Sequence, residues 1–152
     1  MNTKVKNLGI IILVCAVISI SMGAVFIQQG LAKEAFLVEA MTQEQITFDG
    51  VEGIVDNAQK AQLAGDTVRE HRHGIAPTYG ELLGEGRFNP AEPRQLSYAQ
   101  ALNLENYLYL AVASFGVFTV VKVIGVFMII MGLALGGTGF GLLSIVTPVR
   151  AS

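Results

Sequence analysis

Tryptophan is absent from this sequence, cysteine occurs once, as Cys15, and only 14% of the 152 residues are charged. A single cysteine excludes an intramolecular disulfide. Acidic residues are missing from both ends of the chain, because all twelve lie between Glu34 and Glu105. This segment contains no cluster of basic residues. The sequence therefore offers no basic surface that would bind nucleic acid.

Two long apolar runs, residues 8–27 and 107–135, account for much of the 52% hydrophobic content. The hydrocarbon core of a bilayer is about 30 Å thick and is crossed by roughly 20 helical residues. Both runs are therefore predicted to be transmembrane helices. The first is longer than the apolar core of a signal peptide, about 7–15 residues, so we interpret it as an uncleaved anchor. Lipid attachment at Cys15 is disfavoured because Val14, not a small residue, precedes it.

The distribution of charge predicts the topology. Lys4, Lys6 and Arg150 lie at the ends, whereas the segment between the two runs is acidic. Basic residues close to a span favour the cytoplasmic side, so we predict a multi-pass plasma-membrane protein with both termini cytoplasmic and the loop outside. The predicted fold class is an all-α membrane protein, in which two transmembrane helices form an antiparallel hairpin with a mostly helical extracytoplasmic insertion. Its predicted parts are a cytoplasmic N-terminus (1–7), transmembrane helix 1 (8–27), an acidic extracytoplasmic domain (28–106), transmembrane helix 2 (107–135) and a glycine-rich apolar cytoplasmic tail (136–152).

Small residues recur at intervals of seven in both runs, at Gly9, Ala16, Gly23 and Gly30 in the first and at Gly125, Gly132 and Gly139 in the second. Gly132 and Gly136 also form a GxxxG pair. Small side chains let helix backbones approach closely in lipid, and a seven-residue interval favours left-handed packing. These positions therefore predict a helix-packing seam, either between the two helices of one chain or between copies in a homo-oligomer.

One charge, Lys122, lies near the middle of the second run. An ammonium group at the centre of a bilayer costs about 3 kcal/mol on insertion scales. Neither run contains an acidic residue that would pair with it. We therefore expect Lys122 to contact a carboxylate or carbonyl of another subunit. The alternatives are snorkelling of the side chain, loss of its proton, or a water-filled pore.

The segment between the runs is predicted to be mostly helical. Apolar residues at helical spacing extend the first helix through residue 45 and predict a second, amphipathic helix over residues 52–73, ended by Gly74. A turn is expected over residues 46–51. A loop rich in glycine and proline follows, with one helical turn at residues 79–83.

Pro93 suits the first position of a new helix, and no strong helix breaker occurs between it and residue 135. Tyr107 and Tyr109 are predicted interface anchors, because amphipathic aromatic rings favour the headgroup region. Residues 136–152 contain several glycines. We expect this last segment to be irregular and to lie along the inner interface or against a partner.

The sequence Glu70-His71-Arg72-His73 is the strongest metal-site candidate. Histidines two residues apart point to different sides of a helix, whereas zinc helices use a pair four residues apart. Basic groups near the carboxyl end of a helix are explained by the helix dipole. Motifs for a nucleophile, a phosphate loop or haem attachment do not occur in the sequence. We therefore predict no metal, no cofactor and no catalytic residues.

Two stretches carry a recognisable pattern, AQLAGDTVREHRHGIAPTYGELLGEGRFNPAEPRQ and ALNLENYLYLAVASFGV. The pattern comprises an alanine-rich helix that ends in histidines and an arginine that precedes a long helix. It also contains two short motifs, Thr-Tyr-x-Glu-Leu (Thr78, Tyr79, Glu81, Leu82) and Ser-Phe-Gly-Val at residues 114–117. It resembles a family of small, uncharacterised two-span membrane proteins from actinobacteria and related bacteria. The resemblance covers about residues 58–132, and Lys122 departs from the apolar residue expected at its position.

Members of that family often carry the label aromatic ring-opening dioxygenase. Such an enzyme needs an iron site, typically two histidines and a carboxylate on a rigid fold, which His71 and His73 do not supply. We therefore predict a non-enzymatic integral membrane protein, a structural or accessory subunit of a membrane complex or of a homo-oligomer. Its expected partners are the lipid bilayer and other membrane subunits or copies of itself. The alternatives are a homo-oligomeric pore or transport element that uses Lys122, and a metal-binding or enzymatic outer domain.

Overall fold

A computed structural model describes residues 3–48, 50 and 52–146. These residues form four helices and no strand: α1 (Thr3–Gln43), α2 (Ala58–Ile75), α3 (Tyr79–Leu83) and α4 (Pro93–Val146). Helices α1 and α4 are long and apolar enough to cross a membrane, and only 11% of the most apolar window of each is buried. The prediction of an all-helical fold with two such helices is confirmed for this part of the chain.

Helix α2 begins at Ala58, later than the predicted helix over residues 52–73. It begins after Asn57, whose side-chain oxygen accepts a hydrogen bond from the backbone N–H of Lys60 at 3.0 Å. Before this cap, the N–H of Val55 donates to the carbonyl of Ile46 at 3.0 Å, and Val55 is fully buried. A helix that starts after Asn57 is favoured over one that starts at residue 52, because the Asn57 side chain satisfies a backbone donor that the first helical turn leaves without a partner.

The end of α2 lies one residue beyond the predicted stop at Gly74. Ala76 is extended, with φ −157° and ψ 141°, and its N–H donates to the carbonyl of Arg72. Pro77 explains this conformation, because proline disfavours the helical region for the residue before it.

Helix α4 begins at Pro93, the predicted first position, but it does not end at residue 135. It continues through Val146, so the expectation of an irregular segment after residue 135 is wrong for residues 136–146. Residues 147–152 lie outside the described residues. Glycine weakens an isolated helix by about 1 kcal/mol per residue. Here Gly139 packs against α1, and such tertiary contacts offset that cost.

The chain divides into two compact units. The helix-pair unit comprises Met1–Lys33 and Phe118–Ser152, and the connecting unit comprises Glu34–Val117. The connecting unit has its own core of apolar side chains: Met41, Val55, Ala61, Ala64, Val68, Leu108, Ala111 and Phe115. The last three come from the apolar run predicted to be a single span. Part of that run is therefore protein core rather than surface.

A second core cluster in the connecting unit contains Ala76, Leu82 and Tyr98. Leu82 belongs to the short helix α3, whose N-cap is Thr78. The Thr78 hydroxyl accepts a hydrogen bond from the N–H of Glu81 and contacts its carboxylate, both at 3.1 Å. The guanidinium of Arg94 donates to the carbonyl of Ile75. These contacts hold the chain between α2 and α4 in a defined conformation.

Candidate functional site

Within the helix-pair unit, α1 and α4 contact each other through the small residues spaced at intervals of seven. All seven of these residues are buried: Gly9, Ala16, Gly23, Gly30, Gly125, Gly132 and Gly139. A Cβ atom placed on Gly23 would lie 2.6 Å from the carbonyl oxygen of Gly125, and one placed on Gly125 would lie 2.7 Å from that of Gly23. A side chain at either position would overlap backbone, so this approach requires glycine.

The contacts define an antiparallel register. Gly9 contacts Gly139, Gly132 contacts Ala16, and Gly23 contacts Gly125, so numbers rise along one helix as they fall along the other. Gly136 lies at the margin, where an added Cβ would meet the Cβ of Ala16 at 3.8 Å, an ordinary contact distance. Because these residues face each other within one chain, the same seam is not available for packing against a second copy.

A polar contact adds to this packing. The hydroxyl of Ser19 on α1 donates to the backbone carbonyl of Met128 on α4 at 2.7 Å. Hydrogen bonds between helices in an apolar environment contribute about 0.6–2 kcal/mol each. Ser19 therefore helps to fix the register that the glycines allow.

Lys122 lies beside Gly30, with its aliphatic stem against the backbone of α1. A Cβ on Gly30 would lie 2.7 Å from Cγ of Lys122 and 3.3 Å from the carbonyl oxygen of Phe118. Gly30 is three residues beyond residue 27, where the first apolar run ends. The register therefore places Lys122 next to the end of that run and not next to its middle.

The half-buried Lys122 side chain also lines a groove of about 370 Å³ on the helix-pair unit. The other lining side chains are all apolar: Ile27, Val123, Val126, Phe127 and Ile130. Among the described residues that line this groove, Lys122 contributes the only ionisable side chain.

The two predicted interface anchors have different surroundings. Tyr107 is 62% exposed. The hydroxyl of Tyr109 donates to Asp66 Oδ1 at 2.6 Å, and its ring lies over Gly65, where an added Cβ would come within 3.1 Å of Cε1. The hydrogen bond from Tyr109 is the main cause that lowers the pKa of Asp66 below its ordinary value of 3.8. Tyr109 thus fastens α4 to α2.

Sequence reasoning missed a buried ion pair between α2 and α4. Nε of Arg72 donates to Oε2 of Glu105 at 2.6 Å, and Nη2 donates to Oε1 at 3.3 Å. The guanidinium also donates to the hydroxyl of Tyr98 and lies over its ring, with Cζ 5.0 Å from the ring centre. The three residues are 8%, 6% and 1% exposed.

The sequence does carry a signal for this pair. Arg72 follows the buried residues Ala61, Ala64 and Val68 at helical spacing, so it lies on the stripe that faces the core. The hydrogen bond from Arg72 to Glu105 is the largest cause that raises the pKa of Arg72. Removal of one partner from a buried pair typically costs about 3–5 kcal/mol, because a charge is left uncompensated. We therefore assign the pair a structural role.

The histidines on either side of Arg72 do not converge. Both His71 and His73 are exposed, and Nε2 of His73 lies 3.2 Å from Nη2 of Arg72. Among the described residues, no group of three or more histidine, cysteine, aspartate or glutamate side chains is arranged to hold a metal ion.

The connecting unit carries an apolar groove of about 310 Å³, lined by Leu37, Ala40, Met41, Glu44, Ile46, Leu104, Tyr107, Leu108, Leu110, Ala111 and Ser114. Tyr107 and Leu110 are more than 60% exposed at its rim. Exposed apolar concavities of this kind are typical of surfaces that bind a partner.

No family model, curated protein or solved structure matches this chain. The function is therefore inferred from the grooves, contacts and charges of its own residues.

Proposed function

We propose that this protein is a non-enzymatic integral membrane protein that serves as an accessory subunit of a membrane assembly. The antiparallel segments of α1 and α4 are its membrane anchor, and the connecting unit is its extracytoplasmic part. The apolar outer surface of the helix pair supports this proposal, since Val17, Val123, Phe127 and Leu133 are all about 60% exposed. Lys4 and Lys6 favour a cytoplasmic N-terminus.

The seam supports a specific depth for the anchor. Residues 8–27 of α1 form a charge-free apolar run, and the contacts from Gly9 with Gly139 to Gly23 with Gly125 align that run with α4 from about Lys122 to Phe140. A hydrocarbon core about 30 Å thick fits roughly 20 residues on each helix. In this placement the Lys122 amine lies at the outer boundary. It then needs no carboxylate from another subunit to remain charged.

The observation that carries an assembly role is the apolar groove of the connecting unit. Its lining residues on α4, from Leu104 to Ser114, come before Lys122 in the sequence and belong to the connecting unit, which we assign to the aqueous side of the membrane. Exposed apolar area is unfavourable in water by about 25 cal/mol per Å². We propose that an apolar helix face of another membrane subunit, or of a second copy, fills the groove.

Native mass measurement in lipid nanodiscs tests the assembly role. The substitution Leu110→Glu places a charge at the rim of the groove on a side chain that is already 61% exposed. Leu63→Glu is the matched control, since Leu63 is 47% exposed on α2 and does not line the groove. We expect the wild type and L63E to be larger than one chain and L110E to be a monomer. A monomeric wild type, or an unchanged mass for L110E, contradicts the proposal.

Cysteine labelling tests the depth. In a Cys15→Ala background, Lys122→Cys and Ile130→Cys are compared by reaction with a membrane-impermeant maleimide added outside intact vesicles. Ile130 is 58% exposed and lies eight residues further along α4. Strong labelling at position 122 and protection at position 130 are expected. Equal protection of both cysteines would show that position 122 lies in the interior of the bilayer and would contradict the proposed depth.

A further inference from the structure

A second groove of the connecting unit, here called the amide groove, lies between α4 and the chain that precedes it. Its volume is about 480 Å³, within the range of roughly 300–1,000 Å³ that is typical of small-molecule sites. None of its seven lining residues is charged, although all twelve acidic residues of the chain lie between Glu34 and Glu105. The groove is therefore a neutral surface in an acidic unit.

One wall of the amide groove presents primary amides. Gln100, Asn103 and Asn106 follow one another at intervals of three along α4, and all three are exposed. Their side chains make no hydrogen bond to any other residue within the part of the chain that the structure describes. Each amide offers two N–H donors and an accepting oxygen, so this wall presents both donors and acceptors of hydrogen bonds.

The opposite wall presents two aromatic rings, Tyr79 and Phe88, which are 43% and 37% exposed. The ring of Tyr79 packs against Tyr98, with the ring centres 6.1 Å apart. Tyr98 is itself fixed by the hydrogen bond from Arg72. Tyr79 is therefore backed by a rigid buried group while it keeps part of its surface in the groove.

The loop that carries Phe88 is also held in place. The N–H of Asn89 donates to the side-chain oxygen of the buried Gln95 at 2.7 Å, and the N–H of Ala91 donates to the side chain of Asn89 at 3.0 Å. A loop that is ordered before a ligand arrives loses less conformational entropy on binding. Both walls of the amide groove are thus formed in the free protein.

We propose that the amide groove binds a neutral carbohydrate, such as a mono- or disaccharide unit of a glycan. The apolar C–H face of a pyranose ring packs on Tyr79 or Phe88, and its hydroxyls exchange hydrogen bonds with the amides of Asn103 and Asn106. A purely apolar ligand would bury those amides without partners, which is costly. An anionic ligand would find no cation in the lining and acidic residues elsewhere in the unit. This site is separate from the apolar groove, so it does not depend on assembly.

Titration of the full chain in nanodiscs tests the proposal, with saturation-transfer NMR as the readout and empty nanodiscs as the blank. Cellobiose and N,N′-diacetylchitobiose are the neutral probes, and glucuronate is the anionic comparator. Asn103→Ala and Phe88→Ala should each weaken binding about tenfold, the size expected for one lost hydrogen bond or ring contact. Gln43→Ala and Phe36→Ala are matched controls, because Gln43 and Phe36 are exposed outside the groove and should not change the affinity.

Asn103 is exposed on a helix, so its replacement by alanine leaves the fold intact and keeps the test valid even where Phe88→Ala fails to fold. Binding of a neutral sugar that N103A weakens and the controls preserve supports the site. The proposal is overturned by no binding of either neutral sugar, by equal affinity in N103A and wild type, or by preferential binding of glucuronate.

Discussion

The close approach at Gly125 gives the most direct test of the helix pair. In Gly125→Ala the new methyl group would lie 2.7 Å from the carbonyl oxygen of Gly23 and 2.8 Å from Cγ1 of Ile27. The oxygen belongs to backbone, so the two helices must move apart. Overpacking typically costs about 1–3 kcal/mol, whereas alanine gains up to about 1 kcal/mol in helix propensity over glycine. We expect G125A to lower the free energy of helix association by about 1–2 kcal/mol.

Energy transfer between two dyes measures this association. In a Cys15→Ala background, Lys4→Cys and Ser144→Cys place the dyes on exposed residues at one end of α1 and α4. The seam places these positions opposite each other, since Gly9 contacts Leu143 and Gly139. Titration of mixed micelles with a denaturing detergent then reports the separation of the helices as a loss of transfer.

Gly137→Ala is the matched control on the same helix. An added Cβ at Gly137 meets no described atom within 4 Å, so this variant should match the wild type or be up to about 1 kcal/mol more stable. The reasoning is refuted if G125A is as stable as the wild type, or if G137A loses as much as G125A. Either result would mean that the glycines do not set the distance between the helices.

Three further predictions concern the connecting unit. In thermal unfolding, Glu105→Gln should destabilise it by about 3–5 kcal/mol because the Arg72 charge loses its partner, and the double variant Arg72→Met, Glu105→Leu should recover most of that loss. The lowered pKa of Asp66 means that its contribution is present above its ordinary pKa of 3.8 and is lost as the pH falls through the folded-state value. Tyr109→Phe should reduce this loss, seen by comparing denaturant midpoints at neutral pH and below pH 3.8, and an unchanged pH dependence would contradict it. Asn57→Ala should cost about 1 kcal/mol by removing the cap of α2, and an unchanged denaturant midpoint would show that the cap is dispensable.

Features that depend on local sequence were predictable. Pro93 begins α4 as expected, because its fixed φ angle suits the first helical position. The seven-residue spacing of Gly9, Ala16, Gly23 and Gly30 placed these residues on one side of α1, and the structure buries all four. Periodicity along one helix requires no knowledge of what lies on the other side.

Which part of the first apolar run lies beside Lys122 was not predictable from periodicity along one helix. Hydropathy cannot distinguish an apolar run that faces lipid from one that forms a protein core, and Leu108, Ala111 and Phe115 do the latter. Only the contact between α1 and α4 shows that Lys122 lies beside Gly30. That register depends on residues about 90 to 130 positions apart in the chain.

Two other features were not predicted from the sequence. The glycines after residue 135 indicated an irregular segment, because their helix propensity is low, but α4 continues through Val146, with Gly139 packed closely against α1. The position of Arg72 near the carboxyl end of a helix indicated an interaction with the helix dipole, but its place on the buried stripe of α2 directs it to the core and to Glu105. In both cases a tertiary contact outweighed the intrinsic preference of the residue.

The antiparallel seam also restricts how the length of the chain can vary during evolution. One inserted residue between Gly9 and Gly23 would rotate all that follows by about 100° around the helix axis, moving every later glycine away from its counterpart. Insertions and deletions within this anchor should therefore survive only in multiples of seven, or in compensating pairs on the two helices. Distant homologues of the anchor should be recognisable by the intervals between their smallest residues even where the surrounding aliphatic residues have all been exchanged.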